Sequence, residues 1–393
     1  MNVGVYGGTF NPVHNGHVEA ARQAVEALSL DRLLLVPAAL PPHKDLPKGT
    51  ETAAQRLQMV KFAADCIPRA EASDIELRRP GKSYTADTLA ALRETYPDAR
   101  FFLLVGTDMF LTLQSWKRPE EIAKCGVICA MYRAASDTRE AMERQKRFLE
   151  ETFGAEVVLL DNIPLEAASS DLRAALARGE DVSLLLPEQV FGYILREKLY
   201  GTNADLKRLA LGELRAVSYS MVKAKRIPHI RGTEGECVRL ALRWGADAEA
   251  ARRAAILHDC TKYLTLDEQL KLCELYGIVT DSLEKVAVKL LHAKTGAAIA
   301  GRVFGMPPEI CDAIRFHTTG KPDMTTLEKV LYLGDYIEPT RDFPGVDGLR
   351  HLAYEDLDAA LVLGFDMTIR EMEAAGSPVH ERTLAARAYL CNC

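Results

Sequence analysis

Two histidines three residues apart, His14 and His17, close the stretch Gly7-Gly8-Thr9-Phe10-Asn11-Pro12-Val13-His14-Asn15-Gly16-His17. Imidazoles at that spacing share one side of the first helical turn. Glycines let the backbone approach an anion closely, and the first N–H groups of a helix carry partial positive charge toward it. The stretch follows the apolar run Val3–Tyr6 and leads into a helical pattern from Val18 to Leu28. It therefore reads as a strand, a turn and a helix start that cradle a phosphate. It is neither a GxGxxG fingerprint nor a GxxxxGK loop followed by Ser or Thr, which argues against hydride transfer and ordinary NTPase chemistry.

The second half of the chain carries six further histidines, 229, 258, 292, 317, 351 and 380. His258-Asp259 ends the apolar segment Ala254-Ala255-Ile256-Leu257, and His229, His292, His317 and Asp335 fall on separate helical segments. Neutral imidazoles with carboxylates suit borderline divalent metals, and an aspartate beside a histidine can bridge two of them. His351 and His380 have no partner in this pattern and read as ordinary structural histidines.

The elements that must hold these groups differ between the halves. Strand candidates are Val3–Tyr6, Leu33–Pro37, Phe101–Val105, Val127–Met131 and Val157–Leu160. Helical stretches lie between them at Val18–Leu28, Ala53–Cys66, Thr85–Thr95, Arg139–Phe153, Ser170–Arg178 and Pro187–Glu197. Alternation of this kind predicts a parallel sheet with right-handed crossovers, its active site at the carboxyl ends of the strands. From about 205 the strand signal disappears. Helical spacing runs through Leu206–Val222, Ala246–His258, Ser282–Leu291, Glu309–His317, Thr326–Ile337 and Asp356–Met372. The expectation is an α/β Rossmann-like domain over 1–201 and an all-α domain over 205–393, divided near Gly201-Thr202-Asn203-Ala204.

The 393 residues suffice for two or three cored domains, and a net charge of −6 leaves no electrostatic footprint for nonspecific nucleic-acid binding. The start lacks a charged n-region and an apolar h-region, and no run reaches the length of a membrane span. None of the nine cysteines forms a CxxC pair, which speaks against a disulfide frame. A reduced, cytoplasmic protein is expected, with no membrane or nucleic-acid partner; homo-oligomerisation stays open.

Three more segments extend the first constellation: Pro41-Pro42-His43-Lys44, Gly106-Thr107-Asp108 followed by Trp116, and Ser169-Ser170-Asp171-Leu172-Arg173, where a serine is expected to cap a helix. With GGTFNPVHNGH and Ser83-Tyr84-Thr85-Ala86-Asp87-Thr88-Leu89, residues 1 to about 200 resemble the bacterial nicotinate-nucleotide adenylyltransferases, a branch of the nucleotidylyltransferases. The resemblance implies transfer of the adenylyl group of ATP to nicotinate mononucleotide, giving deamido-NAD and pyrophosphate with Mg²⁺ on the phosphates. It implies that His14 and His17 contact ATP phosphates, that Lys44 neutralises phosphate charge, and that Ser169, Ser170 and Arg173 hold the triphosphate. Gly8, Thr9 and Phe10 would line the nucleotide, and Thr85, Trp116 and Asp108 the pyridine side. Ala167 and Ala168 stand where that family usually has an isoleucine and a serine. Pantetheine-phosphate and other small adenylyltransferases share the same GxFxPxHxGH logic.

The order H…HD…H…H…D is similar to that of the HD-domain metal phosphohydrolases. That resemblance implies one metal held by His229, His258, Asp259 and Asp335, with Asp259 shared to a second held by His292 and His317. His258-Asp259-Cys260-Thr261-Lys262, Phe316-His317-Thr318-Thr319-Gly320 and Gly334-Asp335-Tyr336-Ile337-Glu338-Pro339-Thr340-Arg341 resemble the symmetrical bis(5′-nucleosyl)-tetraphosphatases. These imply hydrolysis of diadenosine tetraphosphate to two ADP with iron, Asp259 as the central catalytic group, and Lys262, Thr318 and Arg341 on phosphate or nucleotide. Two alternatives are another phosphorylated nucleotide as substrate and a nucleotide-sensing regulatory module.

Overall fold

The computed structural model describes residues 1–41, 50–134 and 138–392. The chain divides into two compact units, Met1–Asn203 and Ala204–Cys393. The first is a Rossmann-like α/β unit built on a six-stranded parallel sheet, and the second is helical.

In the first unit the strands are β1 (Asn2–Gly8), β2 (Arg32–Pro37), β3 (Ala70–Ala72), β4 (Arg100–Gly106), β5 (Gly126–Met131) and β6 (Val157–Leu160). Their order is β3-β2-β1-β4-β5-β6, and every pairing is parallel. The chain winds one way from β1 to β3 and the other way from β4 to β6. The two directions separate between β1 and β4, which opens a crevice beyond their carboxyl ends. Central strands buried on both faces read as continuous apolar runs, as in Leu33-Leu34-Leu35-Val36. One face packs Val3, Val5, Leu103, Val105, Ile128 and Ala130 against Leu89, Leu92, Ile122, Met142 and Leu149 from the flanking helices. Each fully buried leucine or isoleucine there contributes about 1.5–3 kcal/mol.

β3 was not expected. Ala70-Glu71-Ala72 has little strand propensity, and it pairs only at the sheet edge, opposite Leu33–Leu35. The first helix begins earlier than expected, at Asn15, with His14 at its N-cap. The expected serine cap is also corrected. Ala168 is the N-cap of the helix Ser169–Ala177, and the Ser169 hydroxyl donates instead to the Pro12 carbonyl at 2.9 Å.

In the second unit the helix Ile227–Trp244 packs on Ala248–Leu257 and on Thr326–Ile337, and Val288–Arg302 packs on Pro308–Phe316. Ile227–Trp244 escaped the periodicity reading because Pro228, Gly232 and Gly235 interrupt it. Pro228 lies in the first turn, where its missing N–H costs nothing. Gly232 lacks room for a side chain, because a Cβ there would collide with Glu338 Oε2. Gly334 is constrained in the same way by Cys237, which brings the start of Gly334-Asp335 against the long helix.

Leu266–Tyr276, Val346–Glu355 and Glu381–Cys391 are further helices that the spacing did not reveal. The segment Leu206–Val222 is helical only over Leu211–Tyr219. Ser282–Leu291 is corrected as well: the helix there is Val288–Arg302. Asp281 and Glu284 each accept the other's backbone N–H at 2.9 Å, which closes a local turn over 281–284. No helix of the described residues is long and apolar enough to cross a membrane.

Candidate active sites of the two units

A cavity of about 490 Å³ occupies the crevice at the carboxyl ends of β1 and β4. It gathers Gly8, Thr9, Phe10, His17, Thr85, Asp108, Trp116, Ser169, Ser170 and Arg173. These come from six separate segments, so the fold joins what the sequence spreads over 166 residues, from Gly8 to Arg173. His14 lies beside this wall in a smaller recess, its ring centroid 3.7 Å from that of His17. Lys44 falls outside the described residues.

The glycine turn is braced from distant parts of the unit. Arg173 Nη1 donates to the Asn11 carbonyl at 2.7 Å, and the Tyr200 hydroxyl donates to Asn11 Oδ1 at 2.9 Å. Arg56 is 1% exposed, and its Nη1 donates to the Thr9 carbonyl at 2.8 Å. Arg56 touches the turn rather than the cavity, so it acts by positioning. We expect Arg56→Ala to leave the Thr9 carbonyl unpaired and to cost about 1–3 kcal/mol in urea unfolding. The KM for ATP should rise more than kcat falls.

Electrostatics in this site favour neutral imidazoles. Burial first, and then the nearby Arg133 guanidinium, lower His14 to about 4. Burial, His14 and Arg133 hold His17 well below the usual histidine range. The backbone N–H of His14 reaches His17 Nδ1 at 3.3 Å, which places the proton of neutral His17 on Nε2. Because the folded pKa of His14 is depressed, the unfolded chain binds the extra proton as pH falls below about 6.5. Stability from this source is therefore complete above that value and is lost as pH falls toward about 4. Measured against a His14→Asn variant, the wild type should lose about 2 kcal/mol between pH 7 and pH 5 in urea titrations.

Sequence reasoning missed Arg133. It stands just past β5, after Tyr132, lines the same cavity, and pairs with Asp108 Oδ2 at 2.8 Å. Its position just past the carboxyl end of a parallel strand was the available signal. Lys117, which stacks on the Tyr84 ring at 4.0 Å, also lines the cavity.

In the second unit the six expected ligands converge. His229 Nε2 lies 3.0 Å from Asp335 Oδ1 and 3.3 Å from His258 Nε2. His292 Nε2 lies 3.1 Å from Asp259 Oδ1 and 3.2 Å from His317 Nε2. Asp259 stands between the two clusters: its Oδ2 faces His258 at 3.4 Å and its Oδ1 faces His292. Asp259, His258, His292 and His317 are each at most 2% exposed.

The outer ring nitrogens explain why the Nε2 atoms point inward. His258 Nδ1 donates to the Ala255 carbonyl at 2.6 Å, and His317 Nδ1 donates to the Ile314 carbonyl at 2.7 Å. His229 Nδ1 lies 2.9 Å from Glu338 Oε1. Each of those bonds puts the ring proton outside and a lone pair at the centre. Lone pairs of His229 and His258 then face each other at 3.3 Å, an arrangement that a cation relieves. The groups His229–His258–Asp335 and His258–Asp259–His317 each bring their ligand atoms within 4.8 Å of one another. The donor set thus fits divalent metals. Burial, then the neighbouring His292 and His258, lower His317 to about 3, in keeping with a neutral ligand.

Lys262 Nζ lies 3.1 Å from Asp259 Oδ1, and Arg341 Nη2 lies 2.8 Å from Asp335 Oδ1. The Thr318 hydroxyl has no hydrogen-bond partner among the described residues. Two site residues were not anticipated. Arg226, three positions before His229, donates to Asp259 Oδ2 at 2.5 Å. Glu338 is fully buried and also accepts from the Thr340 backbone N–H at 2.7 Å. Its place inside Gly334–Arg341 was the signal, since the same helix end carries Asp335. Glu338→Ala should weaken metal affinity about 10–100-fold in a Mn²⁺ titration, with Glu338→Gln restoring part of the loss.

His351 pairs on the surface with Glu355 at 3.1 Å. His380 does have carboxylate partners, contrary to expectation: Asp281 at 3.0 Å and Glu284 at 3.7 Å. Glu284 is already bound by Lys294 at 2.5 Å and Arg382 at 3.4 Å, so this cluster carries its own cations.

A parallel sheet with a phosphate turn at its switch point, followed by a helical His/Asp centre, defines a nucleotidyltransferase fold joined to a metal-binding HD fold. Residues 5–183 match the cytidylyltransferase-like family, and residues 226–340 match the HD domain family. The probable nicotinate-nucleotide adenylyltransferase of Pelobacter propionicus is 37% identical over 213 residues, which cover 51% of this chain and 98% of that protein. The corresponding protein of Gloeobacter violaceus is 40% identical over 205 residues, 51% of this chain and 97% of its own. Through its first half, the chain belongs to the nicotinate-nucleotide adenylyltransferase family. A solved structure from Clostridium acetobutylicum, described as a predicted HD superfamily hydrolase involved in NAD metabolism, is 37% identical. It covers 47% of this chain and 98% of that chain, with a TM-score of 0.46.

Proposed function

We propose that the chain is a bifunctional enzyme, with an adenylyltransferase over 1–201 and an HD-type phosphohydrolase over 205–393. In the first reaction a phosphate oxygen of nicotinate mononucleotide attacks the α-phosphorus of ATP. The bond to the β,γ-diphosphate breaks, pyrophosphate leaves, and deamido-NAD forms. The carrying observation is the assembly of His17, Ser169, Ser170, Arg173 and Arg133 around one crevice at the sheet's switch point.

In this reading His17 donates through Nε2 to the triphosphate, beside His14. Arg173 and the helix start at Ser169–Ser170 bind the departing phosphates. Thr85, Trp116 and Asp108 hold the pyridine nucleotide, and Gly8, Thr9 and Phe10 face the adenosine. Lys44 is assigned to phosphate by resemblance alone. No covalent intermediate is required, because orientation and charge stabilisation suffice for such a transfer. Mg²⁺ is proposed to enter with the ATP phosphates.

For the second unit we propose symmetrical hydrolysis of diadenosine tetraphosphate to two ADP. The observation that supports it is the central place of Asp259, with one oxygen toward each histidine cluster. His229, His258, Asp259 and Asp335 would hold one divalent ion, and Asp259, His292 and His317 a second, with iron proposed. Bound there, such a pair supplies Lewis acidity and makes water a nucleophile near neutral pH. Lys262, Thr318 and Arg341 would bind phosphate oxygens of the substrate, and Glu338 keeps the His229 proton on Nδ1.

Assays of purified, metal-loaded chain test both halves. Deamido-NAD from ATP and nicotinate mononucleotide, and two ADP from the tetraphosphate, are the expected products. Turnover of neither substrate overturns the reading, and release of inorganic phosphate from another nucleotide would overturn its second half.

A further inference from the structure

The second unit has a cavity apart from the His/Asp centre. It holds about 670 Å³ and opens between the helices Val288–Arg302 and Pro308–Phe316. None of the six metal-ligand candidates lines it, nor do Lys262, Thr318 or Arg341. Lys294, Arg302, Arg315 and Arg382 do, and no carboxylate is among its lining residues. Four cations therefore line the cavity, and the carboxylates that pair with three of them, Glu284 and Asp312, stand outside its lining.

Neutralisation of these cations is uneven. Lys294 is bound to Glu284 at 2.5 Å, which Arg382 shares at 3.4 Å. Arg315 has only Asp312 on its own helix, 3.2 Å away and exposed, a type of pair that holds little energy in water. Arg302 has no hydrogen-bond or ion-pair partner among the described residues, and its side chain is exposed. Arginine forks favour planar, bidentate recognition of phosphate oxygens.

The rest of the cavity is suited to a flat ring. Ala297, Ala298 and Gly301 give one wall without bulk, and Tyr276 and Phe316 add aromatic side chains to the lining, with Arg382 over the Phe316 ring at 6.0 Å. The volume lies within the range of small-ligand sites. We propose that this cavity is a second ligand site that binds a nucleoside polyphosphate, with its phosphates on Arg302, Arg315 and Arg382 and its base against Tyr276 or Phe316. The site stands behind the His/Asp centre: His292 is two residues before Lys294, and His317 directly follows Phe316. The two helices that line the cavity therefore each carry a ligand of that centre, on Val288–Arg302 or at the end of Pro308–Phe316. The proposal does not depend on what the centre hydrolyses.

Equilibrium binding of α,β-methylene ATP to the full, metal-loaded chain tests this, with wild type compared to Arg302→Ala/Arg315→Ala and to Tyr276→Ala. The double variant should lose one binding event, or weaken it at least tenfold, with unchanged adenylyl transfer as the control for folding. Tyr276→Ala should weaken the same event for the nucleotide more than for inorganic tripolyphosphate. An unchanged stoichiometry and affinity in the double variant overturns the site. Equal binding of tripolyphosphate and nucleotide by the wild type at this event overturns its nucleoside selectivity. Because adenylyl transfer and tetraphosphate hydrolysis are measured separately, failure here is distinct from failure of the proposed activities.

Discussion

Asp259→Ala should abolish the phosphohydrolysis proposed for the second unit, a loss on the order of a thousandfold or more, and should leave adenylyl transfer at its wild-type rate. The size of the effect follows from geometry. Asp259 is fully buried, and its two oxygens serve different histidine clusters, so one substitution strips a ligand from both. It also removes the partner of Lys262 and the nearer of two carboxylate partners of Arg226. Elemental analysis should find metal content reduced in step with activity. Asp259→Asn is the informative companion, since it keeps the shape and removes the charge. If Asp259→Ala hydrolyses the tetraphosphate normally but alters adenylyl transfer, the second unit is a regulatory module instead.

His17→Ala should lower kcat of adenylyl transfer about 10²–10³-fold, the usual loss for one preorganised donor at a developing charge. His17 lines the cavity, and its ring is held edge-on against Phe10 at 5.2 Å, so its direction is fixed before substrate arrives. His17→Asn presents an amide N–H at similar reach and should recover part of the rate. Steady-state kinetics with ATP as the varied substrate check this: kcat should fall more than the KM rises. A His17→Ala enzyme with wild-type kcat would remove the residue from the chemistry.

Much of the first site was legible because its residues sit where chain direction alone puts them. Gly8 ends β1, Thr9 and Phe10 follow it, Asp108 follows β4, and a parallel sheet brings those strand ends together. Arg133 was overlooked because a lone arginine after a strand has no local pattern, although β5 delivers it to the same end. Arg56 was invisible for another reason: its partner is a carbonyl 47 residues away, and spacing along a helix does not report such contacts.

In the second unit the ligand types were readable, because histidines and aspartates at separate helix positions have few other joint uses. The helices themselves were less so. Ile227–Trp244 holds Gly232 for close approach to Glu338, and the turn at 281–284 is fixed by mutual side-chain caps that an apolar count ignores. Glu338 acts on His229 from 109 residues away.

The strand order also bears on how the first unit is made. β1 is the first strand in sequence, yet it lies between β2 and β4 and has an unfilled edge until residues 100–106 are available. The phosphate turn attached to it is braced by Arg56, Arg173 and Tyr200, the last of which lies 189 residues beyond Asn11. The motif that precedes the rest of this unit in sequence is therefore among the last parts of the unit to acquire its final shape. Nascent chains that stop before Arg100 must keep an apolar central strand exposed along one side, which makes this stage the one where chaperone capture and misassembly compete with folding.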